Sequence, residues 1–206
     1  MTGMLIRRFL ALVLSALALL HTAPALANLD IGAAAPTFTL KDTFGNTVGL
    51  ENFRGRTVVL EWTNHDCPYV HKHYSAGNMQ SQQKAARDAG VVWLSIISSA
   101  PGKQGYLTAA EADRINRSRD AAPHAILLDP KGSVGRLYQA RTTPHMFIID
   151  GDGILRYKGG IDSIPSSSAG DIDGAKQYVK VALEEMAAGK TITDSVTRPY
   201  GCSVKY

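Results

Sequence analysis

The sequence predicts an α/β fold, a mixed central sheet flanked by helices, and three observations predict it. Residues 58–62 and 91–97 are apolar runs of strand length, and near-continuous apolarity marks strands buried on both faces. A helix-length segment separates them, so they close as a right-handed crossover within one sheet. Residues 146–150 and 154–158 flank Gly151-Asp152-Gly153, the turn chemistry of an antiparallel hairpin.

From the N-terminus, Arg7 and Arg8 precede an apolar run over 9–20, and Ala25-Leu26-Ala27 supplies small residues at a cleavage position. This is the pattern of a secretory signal peptide, residues 1–27. The expected mature chain is periplasmic or secreted after cleavage near Ala27. The run is shorter than the ~20 apolar residues of a membrane span, so no membrane attachment is expected after cleavage. Residues 28–190 are expected to form one domain, and 191–206 a tail carrying Cys202.

Within the domain, residues 37–40 and 47–50 form an N-terminal hairpin around Gly45-Asn46. After the strand 58–62, the polar stretch Thr63 to Asp66 is turn-prone, and Pro68 suits a first helical position. The helix runs to about Asp88 and breaks at Ser75-Ala76-Gly77-Asn78. Thr108 and Glu111 form a capping box, starting an inserted surface helix that ends near Arg119. Residues 125–128 are a strand and 132–138 a short helix. Residues 164–173 form a loop. Tyr178, Val179, Ala182, Leu183 and Met186 have helical spacing within 174–188, and Gly189 stops them. The tail has no periodicity, and Pro199 and Gly201 make it turn-prone.

The formal charge is +4, and half of it, Arg7 and Arg8, leaves with the leader. No dense Lys/Arg run remains, so the basic pI says little about nucleic acid and no nucleic-acid partner is expected. No glycine-rich dinucleotide fingerprint follows a strand, so no bound cofactor is expected. There are two cysteines, Cys67 and Cys202, and export permits them to pair.

Cys67 stands where a strand-turn unit gives way to a helix. A thiol there meets unpaired backbone N–H groups and the positive end of the helix dipole. Both favour the thiolate, which makes Cys67 the candidate nucleophile.

The stretch Asn52-Phe-Arg-Gly-Arg-Thr-Val-Val-Leu-Glu-Trp62-Thr-Asn-His-Asp-Cys67-Pro-Tyr-Val70 resembles the active-site entry of the thioredoxin-like redoxins. That superfamily includes the alkyl hydroperoxide reductase/thiol-specific antioxidant branch and the thiol–disulfide reductases. Gly32 to Pro36 with Phe38, Leu40, Asp42, Gly45 and Leu50 resembles its opening segment. Thr143-Pro144 followed by Phe147 to Gly153 resembles its Thr–cisPro strand and hairpin, and Gly159-Gly160-Ile161-Asp162 the segment before its last helix. The likeness runs from about Ile31 to Gly189. It implies a thioredoxin-like fold, and a cis Pro144 beside Cys67 that leaves the preceding backbone, at Thr143, open to an incoming peptide. Tyr69 is a candidate substrate contact, and Trp62 and His65 are candidates for tuning the thiolate.

The redoxin pattern places a second cysteine at Val70, so a C-x-x-C cycle is impossible. Cys202 is the remaining partner, as a resolving cysteine or as a static staple, unless Cys67 acts alone. The expected substrate is a protein thiol or disulfide, or a small peroxide, with an exported thiol as electron donor. Peroxiredoxins carry Pro-x-x-x-Thr/Ser-x-x-Cys and an arginine. Here the proline slot is Leu60, the hydroxyl slot Asn64, Thr63 misses by one residue, and the arginine slot falls on Pro144 with Arg141 out of register. A copper chaperone is the non-enzyme alternative. Cys67 and His71 lie one helical turn apart, His145 could approach them, and a cysteine with two imidazoles suits copper or zinc.

Overall fold

The computed structural model describes residues 29–206; the expected leader, 1–27, lies outside the described residues. The hairpin strands are β1 (Thr39–Asp42) and β2 (Thr47–Gly49). Next come β3 (Val58–Trp62), α1 (Pro68–Ser75), α2 (Asn78–Asp88) and β4 (Val92–Ile97). The chain continues through α3 (Ala109–Ser118), β5 (Ala125–Leu128) and α4 (Ser133–Leu137). It ends with β6 (Thr142–Thr143), β7 (His145–Ile149), β8 (Leu155–Gly159), α5 (Tyr178–Ala187) and β9 (Cys202–Ser203).

Seven strands form one sheet in the order β2-β1-β5-β4-β3-β7-β8. β3, β4 and β5 are parallel neighbours, and the outer pairings are antiparallel. The parallel pairs follow from the crossovers; of the antiparallel ones, β1–β2 and β7–β8 are hairpins, while β1–β5 and β3–β7 join strands distant in sequence, so the sheet is mixed. Every residue of β3 and β4 is buried, which is why their sequences do not alternate. Burying one large apolar side chain of this kind contributes roughly 1.5–3 kcal/mol.

Strand parity divides the interior into two layers. Leu60, Trp62, Leu94 and Phe147 face Val134 and Tyr138 of the α4 region. Val59, Trp93, Met146 and Ile148 face Cys67, Val70, Met79 and Val179 of α1, α2 and α5. The expected break between α1 and α2 falls at Gly77, whose φ of +70° is left-handed and closed to most side chains. The Thr108–Glu111 capping box is formed, with the Glu111 carboxylate accepting from the Thr108 N–H at 2.8 Å. α5 starts at Tyr178 rather than Gly174, because Lys176 and Gln177 pair in extended form with residues 161–163.

The largest departure is the tail. Expected to lack regular structure, it runs back across the molecule and pairs with β6 in a separate two-stranded ribbon.

Candidate functional site

Cys67 is the N-cap of α1, with extended dihedrals, and Pro68 occupies the first helical position. The Asn64 side chain accepts from the Asp66 N–H at 2.9 Å, and the Cys67 N–H donates to the Asn64 carbonyl at 3.1 Å. This turn fixes the thiol at the top of β3. The Thr143–Pro144 peptide is cis, and the Cys67 thiol donates to the Thr143 carbonyl at 3.1 Å.

The tail brings the second cysteine. β9 pairs antiparallel with β6, and Cys202 stands opposite Thr143. No disulfide joins the two cysteines in this structure; Cys67 is fully buried and Cys202 partly exposed. Burial pushes the Cys67 thiol up, but hydrogen bonds from the Cys202 thiol, from Thr143 and from the Cys202 and Val70 N–H groups outweigh it. The net shift is below the ordinary thiol value. Cys202 moves the other way, to about 11, through burial and the neighbouring Cys67. The two thiols are thus shifted in opposite directions, Cys67 toward the thiolate and Cys202 toward the protonated form.

A buried polar cluster lies beside the cysteines and was not foreseen. Lys72 Nζ donates to Asp162 Oδ2 at 3.0 Å, with both side chains wholly buried. Tyr200, in the tail, donates to Asp162 Oδ1, and its hydroxyl meets His73 Nε2 at 3.2 Å and Lys72 Nζ at 3.3 Å. Desolvation lowers His73 to about 4, against the pull of Asp162, so its ring is neutral near pH 7. The Tyr69 ring meets the Tyr200 ring edge-on at 5.8 Å, so Tyr69 lines the tail as it reaches the cysteines. A second cluster centres on Glu61 in β3. It accepts from Trp93 at 2.8 Å, Ser95 at 2.9 Å, Tyr74 at 3.0 Å and Gln83 at 3.3 Å. A glutamate inside an apolar run was the one available signal for it; Lys72 and His73 gave none.

The structure brings Cys67, Thr143, Pro144 and Cys202 together, with Tyr69 near them through Tyr200. It separates the others. Trp62 packs in the opposite layer against Tyr138 and Phe147, and its indole donates to Ser98 at 3.1 Å. His65 turns away from the thiol, meeting Asp66 at 3.1 Å and lining a small cavity with Thr63, Asn116 and Arg119. Neither makes a contact that would tune Cys67. The copper or zinc set is not assembled. His71 is exposed, while His145 shares the parity of Phe147, stacks on that ring at 4.5 Å and accepts from the Arg141 N–H at 3.3 Å. Among the described residues no three His, Cys, Asp or Glu side chains form a group that could hold a metal ion.

A mixed sheet carrying a helix-capping cysteine beside a cis-proline defines a thioredoxin-like redoxin, and the comparisons agree. Residues 31–158 match the AhpC/TSA family, and the chain belongs to that family. Among curated proteins it is 29% identical over 131 residues to the methylamine utilization protein MauD of Paracoccus versutus, covering 63% of this chain and 58% of that one. The chain thus spans less than two thirds of that relative. Among solved structures, an uncharacterized conserved protein of Geobacillus kaustophilus superposes with a TM-score of 0.73 at 22% identity, covering 87% of this chain and 93% of the other. A putative thiol:disulfide interchange protein DsbE of Chlorobium tepidum gives 0.50 at 23% identity over 64% and 85%. These likenesses carry the fold alone.

Proposed function

We propose that the protein is an exported thiol–disulfide oxidoreductase in which Cys67 attacks and Cys202 resolves. The observation that carries this is the register of β9 on β6, which sets Cys202 opposite Thr143, the residue whose carbonyl accepts from the Cys67 thiol.

The Cys67 thiolate attacks one sulfur of a substrate disulfide, and the other sulfur leaves as a thiolate that takes up a proton. Cys202 then gives up its proton and attacks Cys67 Sγ, expelling the second substrate thiolate. Two electrons have moved from the protein to the substrate, leaving a Cys67–Cys202 disulfide. An exported dithiol donor returns them by the same exchange. Export rests on the leader at 1–27, and no bound cofactor takes part.

Family membership favours a second reading, a thiol peroxidase. There the Cys67 thiolate attacks one oxygen of a small peroxide, the O–O bond breaks, the other oxygen leaves as an alcohol or water after taking up a proton, and Cys67 becomes a sulfenic acid. Cys202 condenses with it to a Cys67–Cys202 disulfide, releasing water.

The test is single-turnover and steady-state kinetics on Cys67→Ser and Cys202→Ser, with disulfide and with peroxide, trapped species being identified by mass spectrometry. Cys67→Ser is expected to abolish the first step. Cys202→Ser is expected to react once and stall as a mixed disulfide. Undiminished steady-state turnover in Cys202→Ser would sink the two-cysteine scheme, and a persistent sulfenic acid formed only with peroxide would select the second reading.

A further inference from the structure

The tail is fastened along its whole length. The backbone of 195–197 pairs with Lys158, and the Thr197 hydroxyl meets Tyr157 and Gly160. Tyr200 enters the Lys72–Asp162–His73 cluster. Beyond β9, the Val204 N–H donates to the Arg141 carbonyl, the Lys205 carbonyl accepts from Ala100, and the Tyr206 hydroxyl donates to Ala140.

Between these anchors the backbone presses onto β6. A Cβ at Gly201 would stand 2.0 Å from the Thr143 carbonyl oxygen, and Gly201 has a φ of +132°. Space and dihedral both demand glycine there. Gly201 thus presses on the same Thr143 carbonyl that accepts from the fully buried Cys67 thiol.

An exposed strand edge binds an extended peptide through main-chain hydrogen bonds, which tolerate many sequences. Here the edge at 142–143 is filled from within the chain. The residue opposite Thr143 is itself a cysteine, and Thr143 is the residue whose carbonyl accepts from the Cys67 thiol. That is the place a substrate half-cystine would take.

We propose that residues 200–204 are a captive strand that occupies the docking edge for an extended, cysteine-bearing peptide, so that a protein disulfide reaches Cys67 only when this strand lifts, with Tyr200 as its latch. The inference rests on the thiol–disulfide reading above. It divides that cycle into two motions. Lifting exposes the Cys67 thiolate for attack, and closing returns Cys202 to expel the bound substrate sulfur. Tyr200 is a positioning residue, acting on Cys67 only through the tail.

The experiment uses the full chain in a Cys202→Ser background, so that a trapped species persists. Alkylation of Cys67 by iodoacetamide reports opening. Exchange with a disulfide-linked dimer of an extended cysteine peptide, and with the small disulfide cystamine, reports reaction. Gly201→Val pushes the strand off the edge, and Tyr200→Phe removes only the latch hydroxyl while keeping the ring. Gly201→Val is expected to speed alkylation roughly tenfold or more, as a shift in the open population does, with a smaller gain for Tyr200→Phe. Exchange with the peptide dimer should rise in parallel. Alkylation as fast in the parent as in both variants overturns the captive strand. Faster alkylation with no exchange toward either disulfide leaves the captive strand standing and overturns the thiol–disulfide reading instead. Should Gly201→Val fail to fold, the milder Tyr200→Phe decides by the same two rates.

Discussion

Two buried polar clusters flank the cysteine helix, and they are built on opposite plans. The Glu61 carboxyl group is met by neutral donors from α1, α2 and β4, all within the body of the domain. The Asp162 carboxylate is met by Lys72 and by Tyr200 from the tail. The first cluster ties sheet to helices permanently. The second joins α1 to the segment that covers Cys67, and it does so with charge. A polar group satisfied inside the frame supports the fold, whereas one shared with a strap couples the fold to access at the thiol.

The sharpest way to break the comparison is Asp162→Ala. It strands the Lys72 ammonium without its carboxylate, and breaking a buried pair costs about 3–5 kcal/mol. Guanidinium unfolding should show that loss together with faster labelling of Cys67. A midpoint close to wild type would mean that the pair is not sealed from water.

Glu61→Gln comes next. It turns an amide N–H₂ toward groups that donate, and leaving a buried donor unmatched costs about 1–3 kcal/mol. Stability should fall with Cys67 labelling unchanged in the folded protein. Labelling that rises as it does for Gly201→Val would erase the distinction between the clusters.

The smallest effect is a pH dependence. His73 is lowered from 6.5 to about 4 by burial. The unfolded chain therefore binds the proton that the folded one refuses, and stability falls as pH drops below about 6.5 toward 4. Between about pH 7.5 and pH 6 the loss through one such histidine is roughly 1 kcal/mol. His145, lowered to about 3 by burial, adds a comparable share from the opposite layer. Urea unfolding of His73→Gln should keep only the part of the slope that comes from His145 and from His65, which burial also lowers, and an unchanged slope would remove His73 from the account.

The strands and helices were legible because their signals are local. The apolar run Val58-Val59-Leu60, the Gly77 break and the Thr108–Glu111 box act over one or two turns of chain. His145 was misread: it was expected beside Cys67 and His71, but strand parity sets it with Phe147 in the opposite layer. Lys72 and His73 were not legible. They look like a polar helix surface and are buried only because Asp162 and Tyr200, 90 and 128 residues from Lys72, fold over them.

The sequence by itself determined that Cys67 caps a helix, that Val70 denies it a near partner, and that the surrounding sheet is mixed. Only the tertiary structure decided that Cys202 lies opposite Thr143 and that Cys67 is covered by the tail. The reason is physical: periodicity and capping are set by neighbours in the chain. Pairing of two-residue strands distant in sequence has no periodic signature, and depends on anchors such as Tyr200 and Gly201 that acquire meaning only once the chain has closed upon itself.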